Sequence, residues 1–63
     1  MYAYRIWETN DYLYWDKARG LYGIVYDGTD TKDQSDLVQH WHSSLDAARD
    51  AWEAKRGVTA RGK

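Results

Sequence analysis

At 63 residues the chain has room for one domain, and a domain this short buries only about 60% of its unfolded surface, so its stability is marginal. The formal charge is −1 and cysteine is absent, which excludes a disulfide framework, a thiolate metal site and a global electrostatic pull towards nucleic acid or anionic lipid. No run approaches the roughly 20 apolar residues of a membrane span and no signal peptide is visible, so a cytoplasmic protein with no membrane partner is expected.

Taken in order, Tyr2 to Glu8 alternates, with Tyr2, Tyr4 and Ile6 on one side and Ala3, Arg5 and Trp7 on the other, a strand over about 2–8. Thr9-Asn10-Asp11 is a tight turn. Tyr12-Leu13-Tyr14-Trp15 is rich in strand formers and pairs back as a second strand over about 12–16. A short helix over 10–19 closed by Gly20 is the competing reading. Asp16 to Gly20 forms a second turn, and Leu21 to Tyr26 a third strand over about 21–27. Gly23 inside that strand signals a bulge or the close approach of another group. Asp27-Gly28 opens a polar loop through Asp36. Leu37 to His42 reads as a fourth strand over about 37–42, although Val38, Trp41, Leu45, Ala48 and Trp52 also fit one helix beginning near Ser35.

The helix is the clearest element, over about 44–56. Ser43 and Ser44 are good N-caps, and Asp46 suits the positive end of the dipole. Alanines at 47, 48, 51 and 54 favour helix, and Lys55 and Arg56 suit the negative end. Gly57 stands at the left-handed stop position. The fold class is therefore α+β: a small antiparallel sheet of three to four strands with one C-terminal helix across one face. Residues 1–57 form the single domain and 58–63 a flexible basic tail. With Tyr4, Ile6, Leu13, Trp15 and Ile24 set to the helix, the opposite face presents Arg5, Trp7, Tyr12 and Tyr14. A one-residue slip would invert the two faces.

Four Trp and six Tyr stand against no Phe. Every such ring carries an N–H or O–H that wants a partner, which suits half-buried positions and interfaces. The expected function is a small non-catalytic binding or regulatory protein acting through a macromolecular interface, for example a phage or mobile-element inhibitor of a host protein. Its expected contacts are Arg5, Trp7, Tyr12, Tyr14, Trp41, Asp30 and Asp33, since Tyr, Trp and Arg are enriched at hot spots and the aspartates form an acidic patch. The partner is another protein, of the host or a second copy, with the chain a monomer or homodimer.

The alternative is a nucleic-acid-binding module stacking bases on the sheet aromatics, helped by Lys55, Arg56, Arg61 and Lys63. The sheet itself lacks a basic track, which weighs against it. His40 and His42, two apart, share a face of a strand and are candidate metal ligands, but no third ligand declares itself. The aspartates after Tyr26 do not match a calcium loop. No phosphate loop or nucleophile elbow is present, so neither an enzyme nor a cofactor is expected.

Overall fold

The structure is a computed structural model that describes residues 1–6, 8–29 and 32–57. Three strands, β1 (Tyr2–Arg5), β2 (Tyr12–Asp16) and β3 (Leu21–Val25), pair antiparallel in the order β1-β2-β3, and one helix, α1 (Leu45–Arg56), follows. Residues 12–16 are thus a strand and not part of a helix. The register places Tyr2, Trp15 and Tyr22 in one cross-strand row and Tyr4, Leu13 and Ile24 in the next on the same face.

Helix α1 lies on that face. Ala48 and Trp52 pack on Ile24, with Ile6, Leu13, Tyr22 and Tyr26 around them. The expected division of faces therefore holds for Ile6, Leu13 and Ile24. The helix begins where a serine cap allows it: the Ser44 hydroxyl accepts from the Ala47 N–H at 3.1 Å. It ends at Gly57, whose φ of 70° is the left-handed geometry that costs glycine nothing and whose N–H returns to the Glu53 carbonyl. A helix running unbroken from Ser35 is excluded by this cap.

The opposite face is where expectation and structure part. Tyr12, Tyr14 and Val25 form a second buried cluster, covered by Val38 and Trp41 from the segment between β3 and α1. That segment makes one short 3₁₀ turn, Ser35–Leu37. Val38 after it is extended, and His42 meets Tyr22 in an isolated bridge with N···O distances of 2.8 and 2.7 Å. Residues 37–42 thus contribute one bridge instead of a full fourth strand, because Val38 and Trp41 are drawn over the sheet and not beside it.

Gly23 makes this possible. A Cβ there would stand 2.3 Å from Val38 Cγ1 and 3.1 Å from the Trp41 ring, so the close approach expected at Gly23 is an approach of the covering segment. Trp7, Asp30 and the tail 58–63 lie outside the described residues.

Candidate functional site

The sheet has two unlike edges. The outer edge of β3 is met by His42, whereas no other described residue pairs with the outer edge of β1. All four β1 residues are exposed, Tyr2 at 49% and Tyr4 at 53%. Beside this edge, on the helix side, a cleft of about 250 Å³ opens between β1 and the first half of α1. Its inner wall is the buried or half-buried set Ile6, Leu13, Ile24 and Trp52; its exposed lining is Tyr4, Arg5, Leu45 and Arg49. The volume falls below the ~300 Å³ of ordinary small-molecule sites. The one-sided, open shape suits a side chain or two better than an enclosed substrate.

Next to the cleft the row Tyr2, Trp15 and Tyr22 makes a ladder. Tyr2 and Trp15 have ring centroids 5.4 Å apart, and Trp15 and Tyr22 stack nearly parallel at 6.1 Å. The Lys17 ammonium lies 6.0 Å from the Trp15 ring. Trp15 and Tyr22 are half-buried, so the ladder continues the exposed aromatic surface begun by Tyr2 and Tyr4.

The residues expected to make contacts are dispersed. Tyr12 and Tyr14, expected on an open face, are buried at 6% and 3% under Val38 and Trp41, and this corrects the expectation that they are exposed. The Tyr14 hydroxyl accepts from the Gln34 N–H at 2.9 Å, so its polar end is satisfied inside the fold. Arg5 is exposed, and its Nε donates to the Thr9 carbonyl at 2.7 Å. Trp41 is half-buried against the second cluster, with the Arg19 guanidinium 5.2 Å from its ring. Asp33 is exposed and accepts from the Ser35 N–H at 2.9 Å, a local turn that holds its carboxyl below the usual range. It also borders a more open hollow of about 320 Å³ with Met1, Ala3, Thr29 and Lys32, above the buried tyrosines. Trp7 and Asp30 belong to the residues not described.

His40 and His42 do meet, edge to face at 4.5 Å between ring centroids. Partial burial and then the charge of His40 lower the His42 pKa. Among the described residues no group of three or more His, Asp or Glu side chains could hold a metal ion.

Sequence reasoning missed Asp11, which it assigned to a turn. Asp11 is 1% exposed. It accepts from Trp52 Nε1 at 2.7 Å, from Arg56 Nε and Nη2 at 2.8 and 2.7 Å, and from the Asp27 N–H at 3.1 Å. Hydrogen bonds from Arg56 dominate, and its pKa falls to about 2 despite burial. The signal was present on the helix: Trp52 and Arg56 are four apart, so an indole N–H and a guanidinium on one stripe call for a shared acceptor. With every acceptor site engaged by structural donors, Asp11 is placed to hold α1 on the sheet and not to transfer protons.

Among the described residues no helix is long and apolar enough to cross a membrane. No protein-family model matches the chain, and the comparisons with curated proteins and with solved structures found no match.

Proposed function

We propose that this protein is a non-catalytic binding module that docks another protein along the β1 edge and the adjoining cleft. The observation that carries the reading is the open edge itself: four exposed residues, two of them tyrosines, beside an apolar hollow walled by Leu13, Ile24 and Trp52. Aromatic side chains supply large contact area with little rotamer entropy to lose, which is why they anchor interfaces. A small module of this kind fits a regulator that occupies a surface of a larger host machine, as phage and mobile-element inhibitors do. A cytoplasmic setting is consistent with the cysteine-free composition.

The test is positional photocrosslinking in extract of the source cell. A benzophenone side chain replacing Tyr4 should give a discrete adduct, and the same group replacing Asp33 should not. Equal labelling from both positions, or none from Tyr4, would remove the β1 edge as the docking site.

A nucleic-acid reading has one observation in its favour, the Tyr2–Trp15–Tyr22 ladder with Lys17 beside it. Bases stack on such rows. It predicts binding of an oligothymidylate at low ionic strength that weakens steeply with added salt.

A further inference from the structure

Resting on the docking reading above, we infer that the β1 edge accepts an extended strand of the partner. That strand presents apolar side chains and a carboxylate on the face turned towards α1. The main-chain part follows from hydrogen-bond alternation. The Ile6 N–H donates to the Asp11 carbonyl at 2.9 Å, so Ile6 turns its main-chain groups inward to β2. In an antiparallel ladder alternate residues share that direction, so Tyr4 and Tyr2 also bond inward while Ala3 and Arg5 turn their N–H and C=O groups out. The outward groups of two residues are the template for an added strand.

β1 guards this edge only by its shortness and the charge of Arg5. Proteins guard free edges with proline, lysine, bulges or a covering element. The chain contains no proline, and β1 reads Tyr-Ala-Tyr-Arg without lysine. The other edge of the sheet, by contrast, is met by His42.

The side-chain part follows from the cleft. A residue added opposite Tyr4 stands on the α1 side of the sheet, where Tyr4 and Leu45 border the apolar wall. Among the described residues the charged ones lining the cleft are Arg5 and Arg49; Arg5 alternates with Tyr4 and projects to the other face, which leaves the Arg49 guanidinium on the α1 side. Arg49 is exposed and takes no part in the ion pairs of Asp11, Asp16 and Asp27, so its guanidinium is placed to meet an incoming acid. The same charge argument disfavours a second copy. A second copy's β1, Tyr-Ala-Tyr-Arg, brings no carboxylate and would leave Arg49 unmatched.

The experiment selects binders from a display library of random seven-residue peptides and measures each enriched peptide against three forms of the full chain. These are the unaltered protein, Ala3→Pro and Arg49→Glu. Proline at position 3 deletes one outward N–H and no bond to β2, a substitution edge strands accept. A synthetic chain with Ala3→N-methylalanine repeats the deletion with the side chain kept, should Ala3→Pro not fold. Enriched peptides should alternate apolar residues and carry Asp or Glu. Ala3→Pro should weaken them about tenfold, and Arg49→Glu should weaken acidic peptides by a similar factor while favouring lysine-bearing ones.

Enrichment without an acidic bias, or binding indifferent to both position-3 variants, overturns the inference. So does a sedimenting dimer that Ala3→Pro dissociates, which gives the edge to a second copy, or an oligothymidylate that displaces the peptides. No enriched peptide overturns strand addition alone. The docking reading itself falls only if the Tyr4 crosslink also fails.

Discussion

Asp11 shows what one residue does when its surroundings decide its charge. Four donated hydrogen bonds hold the carboxylate, and the Arg56 guanidinium beside it is itself made harder to deprotonate. The folded pKa of about 2 lies below the ordinary 3.8. Protons therefore bind the unfolded chain more readily, and the stability supplied by this group is complete above about pH 4. It is lost as the pH falls through the window from about 4 to about 2, and the shift corresponds to about 2 kcal/mol. Urea unfolding at pH 7 and at pH 3 should show about half of this loss, and Asp11→Asn should flatten that part of the acid limb. At neutral pH the same substitution should cost about 2–3 kcal/mol. That is less than the loss of a partner from a fully buried pair, because Arg56 is one-third exposed and can turn to water. A stability difference between the two proteins that stays constant from pH 7 to pH 2 would refute the assignment. None of this was legible at Asp11 itself, since an aspartate before an aromatic strand looks like any turn residue. It was half legible at Trp52 and Arg56, whose spacing implies a common acceptor without saying which of ten carboxylates it is.

Elements were more readable than residues where the local physics is self-sufficient. The helix was legible because its cap, its alanines, its terminal charges and its stop glycine lie within one stretch and agree. Ser44→Ala should remove the one side-chain cap bond and cost about 1 kcal/mol, read as a lower melting temperature with unchanged helix content in the native state. The meander was legible from alternation and turn residues, and so was the face turned to the helix. The cover on the other face was not legible, because it depends on tertiary contact. Val38 and Trp41 sit in a short apolar run that suits a strand, a helix or a lid equally well. Only Gly23, some fifteen residues earlier, hinted at the answer. That hint yields a sharp prediction. Gly23→Ala places a methyl against Val38 and should destabilise by about 1–3 kcal/mol, whereas Gly23→Ala with Val38→Ala should recover part of the loss. If the single variant is as stable as the parent protein, the segment does not lie on the sheet as described. The burial of Tyr12 and Tyr14 has the same root, and with that lid in place the exposed tyrosines of the sheet are Tyr2 and Tyr4 of β1.

For the whole molecule, stability is distributed outward from β2. This strand is flanked by β1 and β3, roofed on one face by α1 and on the other by the Val38–Trp41 cover. Its centre can open only if both covers and a neighbouring strand are released, which amounts to global unfolding in a chain this small. The outward N–H groups of Ala3 and Arg5 need no opening event at all. Native-state hydrogen exchange should therefore divide the sheet sharply. Amides joining β2 to β3 should exchange with the full free energy of unfolding, and those of Ala3 and Arg5 at close to the rate of an unstructured peptide. This ordering also separates the two uses of the aromatic surplus. Tyr12, Tyr14 and Trp52 belong to the slow-exchanging interior, and their loss would be felt as lost stability. Tyr2 and Tyr4 sit beside the fast-exchanging edge, and Tyr4→Ser should leave the melting temperature within a few degrees while weakening whatever crosslinks there. Slow exchange at Ala3 and Arg5 in the isolated protein would mean that the edge is already occupied, by a second copy or by another part of the chain. The docking surface would then lie elsewhere.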